Sequence, residues 1–301
     1  MQSTLTGNTL ATIAVPKPYG TFAFAQGTAD NREFILGAQR LSDGPPVAPY
    51  PATKLYLLRL NPSARTGDRA RLYALPVPPL PGASGYELAW LALSPNGRLL
   101  ATISTTTASN MPTKLRVFDL LTGASRTWVL PQWVPPYQDV VGPPSWSTDS
   151  RTLAFFDRTT ARSAELVLLD TSASAASFSA DSRFVPLPTP PGTDDFTFLP
   201  DAPLLTPDGQ HVIESVINPR ETAHHGPEDA FALDVVNLRT GRVSQLRQHS
   251  QIFYVLATDA SGSAVIVDLA NLPSVSQNFA IWTAHGTTPI QLPADTIAVV
   301  W

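Results

Sequence analysis

The densest run of metal-ligand side chains is His224-His225-Gly226-Pro227-Glu228-Asp229. Imidazole and carboxylate together make a donor set for a divalent cation. Adjacent residues on an extended backbone point to opposite sides, so one loop does not readily turn both histidines onto one ion. His224, Glu228 and Asp229 are therefore a weak metal set, and a solvated loop is the expectation. Asp139, Asp194 and Asp195 could supply the acid and the second carboxylate of a glycosidase. Such acids would be expected on strands facing a central funnel. The strands that read as innermost carry mostly Ala, Leu, Trp and Ser instead. There is no Gly-x-Ser-x-Gly elbow, no phosphate-binding glycine loop and no dinucleotide fingerprint. The chain has no cysteine, which excludes disulfides, thiolate catalysis and Cys-based zinc sites. An enzyme is thus not the favoured reading, and no cofactor is expected.

A different chemistry gathers in proline-rich segments. Tyr50, Tyr86, Trp133, Tyr137, Phe196 and Phe198 stand among prolines, and the same segments carry Asp139, Asp194, Asp195, Glu221, Glu228 and Asp229. Carboxylates outnumber arginines there. Aromatic platforms in an acidic rim suit a cationic peptide, a protein partner or a carbohydrate. Tyr50, Trp133, Tyr137, Asp139, Asp194, Asp195 and Phe196 are the candidate binding residues. The competing reading is that these loops pack on themselves and cover the ends of the core.

The elements that must position them repeat. Ser94-Pro-Asn-Gly-Arg-Leu-Leu-Ala, Ser147-Thr-Asp-Ser-Arg-Thr-Leu-Ala, Thr206-Pro-Asp-Gly-Gln-His-Val-Ile and Thr258-Asp-Ala-Ser-Gly-Ser-Ala-Val each read as a strand end, a tight turn and an apolar strand. Asn, Asp and Gly tolerate the positive φ that such turns demand. About 20 residues on, a second pattern recurs in Lys114–Gly123, Glu165–Thr171 and Leu233–Gly241. Each is a strand, a polar turn and a further strand. Asp119, Asp170 and Asn237 share one repeat position and are expected to cap turns by accepting backbone amides. Trp90, Trp146 and Trp282 are expected to pack between repeats. Phe178–Phe184 mimics the turn signature but falls too close to the previous one, and is expected to be a long third-to-fourth-strand connection.

One repeat is four antiparallel strands, with turn positions 96, 149, 208 and 262 about 55 residues apart. These motifs resemble the WD40-like repeats of TolB-type β-propellers over most of the span from Phe22 to Leu292. The Gly-His and Trp-Asp pairs of true WD40 blades are absent. The expectation is an all-β, single-domain propeller of about six blades. Five are clear, at about 20–76, 87–131, 144–188, 204–247 and 252–292. A partial sixth is formed by closing strands at 8–15 and 295–301, and a five-bladed ring is the alternative. Blade one is assigned to 21–25, 33–39, 54–60 and 69–75.

Alternation of connections puts short turns on one face of such a disc and the long segments, with their acids and aromatics, on the other. Function concentrates on loops held by a rigid scaffold. A non-enzymatic scaffold that binds a protein or peptide through the long-loop face is therefore expected, with a carbohydrate-binding or glycoside-hydrolase-like propeller as the alternative.

Bulk numbers set the remaining bounds. The 301 residues are 43% hydrophobic and 15% charged, with 30 prolines that argue against long helices. The net charge is −4, without a basic block, so nucleic acid is not favoured as a partner. The cations are nearly all arginine, which reads as GC-rich bacterial composition. No apolar run is long enough to span a membrane. Met1–Tyr19 lacks a signal-peptide pattern. A monomeric, extracytoplasmic domain whose export or anchor segment lies outside this chain is the expectation.

Overall fold

The computed structural model describes residues 10–28, 32–39, 53–61, 63–64, 69–77, 86–106, 113–130, 144–160, 163–173, 177–186, 203–206, 208–217, 231–249, 252–258, 264–270, 277–283 and 286–290. These residues form five four-stranded antiparallel meanders. Sheet one is β1 (Thr21–Gly27), β2 (Glu33–Gln39), β3 (Lys54–Leu60) and β4 (Ala70–Ala74). Sheet two is β5 (Tyr86–Leu93), β6 (Leu99–Thr106), β7 (Lys114–Asp119) and β8 (Ser125–Val129). Sheet three is β9 (Ser145–Trp146), β10 (Thr152–Thr160), β11 (Ser163–Asp170) and β12 (Ser182–Pro186), with a one-turn helix α1 (Phe178–Asp181) before β12. Sheet four is β13 (Leu204–Leu205), β14 (His211–Ile217), β15 (Phe231–Asn237) and β16 (Val243–His249). Sheet five is β17 (Ile252–Thr258), β18 (Ala264–Ala270), β19 (Gln277–Thr283) and β20 (Gly286–Ile290). First strands lie beside first strands, from β1 through β5, β9 and β13 to β17.

The apolar strands are continuous because their sheets are buried on both faces. In β10 the alternation of a strand sends Leu153 and Phe155 into a cluster with Ile103, Leu115 and Trp128 of sheet two. Ala154 and Phe156 enter a second cluster with Leu205, Val212 and Val236 of sheet four. Phe155 and Phe156 are fully buried. Each stabilises the fold by roughly 1.5–3 kcal/mol through burial alone.

The repeated turns are held by their own side chains. Ser94 Oγ donates to Asn96 Oδ1 at 2.8 Å and accepts from Leu99 N at 2.8 Å. Asn96 Oδ1 also accepts from Arg98 N at 2.9 Å. Ser147 and Asp149 repeat this network, as do Thr206 and Asp208. The residue after the Asx takes positive φ in each: Gly97 at 70°, Ser150 at 59° and Gly209 at 63°. At Gly97 a Cβ would also meet Glu33 Oε2 at 2.7 Å, so the turn tip is packed as well as left-handed. Asp119 Oδ1 accepts from Leu121 N and Thr122 N, both at 3.0 Å. Asp170 and Asn237 cap their turns in the same way.

Three expectations are corrected. Leu10–Val15 forms no strand; Ile13 instead packs on the Phe34, Leu36 and Leu58 cluster of sheet one. Pro16 and Pro18 lack the amide donors that would carry a ladder onward. The other closing segment, 295–301, lies outside the described residues. Phe178–Phe184 is not wholly a connection: Phe178–Asp181 is α1, while Ser182–Phe184 belongs to the fourth strand β12. Trp146 packs as expected and donates its indole N–H to Ala92 O at 3.0 Å. Trp90 does not, being 39% exposed. A register shift between Leu88 and Trp90 changes which side of β5 the later residues face. The side chain of Trp282 lies outside the described residues.

Candidate functional site

Tyr50, Trp133, Tyr137, Asp139, Asp194, Asp195, Phe196, His224, Glu228 and Asp229 all lie outside the described residues. What is described is where their segments depart. Segments 40–52, 131–143, 187–202 and 218–230 follow β2, β8, β12 and β14. Second and fourth strands of a meander run in one direction, so all four leave from the same side of the sheets. Among the described residues no group of three or more His, Cys, Asp or Glu is placed to hold a metal.

Two clusters of titratable groups were missed in the sequence. The first is a carboxyl pair in sheet four. Glu214 of β14 and Asp234 of β15 are directly opposed in register, one step along from the apolar pair Val212 and Val236. Alternation places all four on the face that packs against sheet three. Glu214 is 1% exposed. Its Oε2 and Asp234 Oδ1 are buried without a hydrogen-bond partner among the described residues. Burial, and then the neighbouring Asp234, push the Glu214 carboxyl up to about 8. Burial raises Asp234 too. At neutral pH the pair holds a proton. The signal was present in the repeat: Asp234 occupies the position of Val167 in sheet three, an acid where packing calls for an apolar residue.

The second is a clasp between sheets two and three. Asp181, at the end of α1, has no exposed side-chain surface. Its Oδ2 accepts from the Trp128 indole N–H at 2.9 Å and from Arg126 Nη2 at 2.9 Å. The Arg126 guanidinium also donates to Ala173 O and stacks over the Trp128 ring, 4.7 Å from its centre. Phe178 of α1 sits in the core against Phe155.

The acids of the turns behave oppositely. Hydrogen bonds from Thr122 and Arg98 hold Asp119 below the usual carboxylate range. Bonds from Ser172 hold Asp170 low, and bonds from Thr206 and Gln210 hold Asp208 low. Between sheets three and four the turns of Asp149, Asp170 and Asp208, with Asp181 of α1 and Arg183, line a cavity of about 560 Å³ together with Leu168, Leu205 and Leu238.

No protein-family model matches the sequence, and no curated protein is detectably similar to it. Solved structures do match. TolB from Acinetobacter baumannii aligns at a TM-score of 0.52 and 12% identity, over 88% of this chain and 53% of that one. The fold is a TolB-like β-propeller. A TolB candidate from Agrobacterium tumefaciens aligns at 0.53 and 12% identity, over 91% of this chain and 81% of that one. Prolyl oligopeptidase B from Galerina marginata aligns at 0.51 and 10% identity, over 92% of this chain and 38% of that one. This propeller thus spans about half the length of the Acinetobacter protein. At these identities the likeness is one of fold, and function must be argued from sites. The four-stranded sheets are the propeller's blades, and the described short turns join the strand ends opposite to those from which the long segments depart.

Proposed function

We propose that the chain is a non-enzymatic binding scaffold that takes a protein or peptide on the side of its long, acidic and aromatic segments, with cationic partners favoured by charge. One observation carries this reading. On the opposite side the turn side chains are spent on their own backbone, as Ser94–Asn96, Ser147–Asp149 and Thr206–Asp208 show. A partner gains little from groups already paired. Tyr50, Trp133, Tyr137, Asp139, Asp194, Asp195 and Phe196 are the residues proposed to meet it.

The test is capture of native partners by the wild-type chain and by a D194R/D195R double variant. Roughly tenfold weaker capture in the variant is expected if two charge contacts are lost. Retention of the same partners by both proteins would refute the reading. Stabilisation by a glycan that disappears in Trp133→Ala would replace it with a carbohydrate-binding one.

The ring is further proposed to have about six blades, with residues 295–301 contributing a closing strand beyond the five four-stranded sheets, and a five-bladed ring as the alternative. Ile297-Ala-Val-Val-Trp301 is too apolar to leave as an open edge. Removing 295–301 is expected to lower the melting temperature by several degrees, on the order of 2–4 °C per kcal/mol lost. An unchanged melting curve would favour a ring that closes without it.

A further inference from the structure

Asn96 is the one asparagine of this chain that is followed by glycine. Asparagine is chemically labile, and most so before glycine. The next main-chain nitrogen attacks the side-chain carbonyl carbon, and a residue without a Cβ hinders that approach least. In the fold the pair sits at the tip of the turn between β5 and β6, and Asn96 is exposed. The same repeat position is Asp149 in sheet three and Asp208 in sheet four. All three side chains make the same two bonds. Each Oδ1 accepts from the hydroxyl two residues earlier, at 2.8 Å for Asn96 and 2.6 Å for the two aspartates. Each also accepts from the amide two residues later, at 2.9, 3.0 and 2.8 Å. Neither bond uses Nδ2 of Asn96, so a carboxylate at that position meets the same donors.

The closed turn withholds the attacking atom. Gly97 N donates to Ser94 O at 2.9 Å, and Ser94 Oγ and Arg98 N together fix the Asn96 carboxamide. The tip also touches the sheets on either side. Asn96 N donates to Ser150 Oγ of sheet three at 3.3 Å. A Cβ on Gly97 would meet Glu33 Oε2 of sheet one at 2.7 Å.

We propose that Asn96 is a site of spontaneous deamidation, protected while the turn is closed and reactive each time it opens. Gly97 N forms a bond to Asn96 Cγ, the Cγ–Nδ2 bond breaks, and the side-chain nitrogen leaves as ammonia with the proton that Gly97 N gives up. Water then opens the cyclic imide. Cleavage of the bond from Gly97 N to Cγ restores the main chain and leaves aspartate. Cleavage of the bond from Gly97 N to the main-chain carbonyl carbon leaves isoaspartate. The two products differ in consequence. Aspartate copies the turns of Asp149 and Asp208. Isoaspartate routes the main chain through the side chain and lengthens it by a methylene, at a tip where Gly97 lies against Glu33 and Asn96 N against Ser150. The turn cannot close again, and the junction of sheets one, two and three loosens. This site is on the opposite side from the long segments and does not rest on the reading given for them.

The test is incubation of the full chain at mildly alkaline pH, folded and in urea, followed by tryptic digestion and mass spectrometry. Trypsin releases residues 72–98, which contain no other amide side chain, so a conversion of amide to acid in that peptide belongs to Asn96. Conversion in the folded chain should be at least tenfold slower than in urea, because it waits on local opening. Ser94→Ala removes the hydroxyl from Asn96 Oδ1 and from Leu99 N, and should speed conversion in the folded chain severalfold. Asn96→Asp should melt within about 2 °C of the wild type. A chain in urea that keeps its amide would overturn the site. Equal rates in the folded and unfolded chains would overturn the protection, as would a folded Ser94→Ala chain that reacts no faster than the wild type. A much lower melting temperature for Asn96→Asp would overturn the tolerance of the aspartate product. The comparison with urea and the Asn96→Asp melting curve stand whether or not Ser94→Ala folds.

Discussion

Glu214→Gln is expected to stabilise the protein at pH 8 and to flatten its loss of stability between about pH 5 and pH 8. The sign follows from proton linkage. In the unfolded chain Glu214 ionises near its ordinary value of 4.5, whereas in the fold it keeps its proton up to about 8. Across that window the folded state binds more protons than the unfolded one, so stability falls as pH rises. Asp234 is displaced in the same direction and adds to the trend. A tenfold difference in proton affinity between the two states is worth about 1.4 kcal/mol, so the cost at pH 8 is on the order of a few kcal/mol. Glutamine preserves the shape and cannot ionise. Its amide can donate to the opposed carboxylate, replacing the proton that Glu214 supplies. Melting temperatures at pH 5 and pH 8 provide the check. The variant should gain roughly 5 °C at pH 8 and little at pH 5. Parallel curves for the two proteins would show that Glu214 is not the titrating group.

Asp181→Ala should be the most damaging single substitution of a polar residue in sheets two and three. It leaves the Trp128 indole N–H buried without an acceptor and the Arg126 guanidinium, 32% exposed, without its counter-charge. Breaking one partner of a buried pair typically costs about 3–5 kcal/mol, because the group left behind stays desolvated. The loss should be read as a lower denaturation midpoint in urea at constant slope. Asp181→Asn should recover part of it, since an amide oxygen still accepts from the indole. Trp128→Phe removes the orphaned donor, so its effect and that of Asp181→Ala should be strongly non-additive. A loss below about 1 kcal/mol in Asp181→Ala would mean that α1 is held by Phe178 and its neighbours alone.

The two results bear on how a repeated sheet diversifies. The pair at one repeat position is Phe155 and Val167 in sheet three, both fully buried. In sheet four it is Glu214 and Asp234. The same backbone thus carries either a core contact or a shared proton. Likewise the third-to-fourth connection is a five-residue turn in sheet four and a helix-bearing insertion in sheet three. The scaffold tolerates both because each sheet closes its own backbone ladder, while the described bonds between sheets each use a side chain, as Trp146 does in donating to Ala92 O and Ser145 in accepting from Leu205 N.

The residues alone determined the strands and the short turns. Blade one was assignable almost to the residue, although its motifs are degenerate, because Glu33–Gln39 and Lys54–Leu60 keep their apolar pattern. The Ser/Thr–x–Asx turns and the caps at Asp119, Asp170 and Asn237 were legible because their hydrogen bonds close within about five residues. Such bonds depend on local chemistry alone. What the chain could not disclose is everything set by register and by packing between sheets. The exposure of Trp90 follows from a bulge. The loss of the strand at 10–15 follows from Ile13 finding sheet one. Glu214 and Asp234 are 20 residues apart and meet only because β14 and β15 pair in one register. Arg126 and Asp181 are 55 apart and meet only because α1 folds back between two sheets. Their energies come from desolvation, and desolvation is a property of the assembled sheets, not of any segment of sequence.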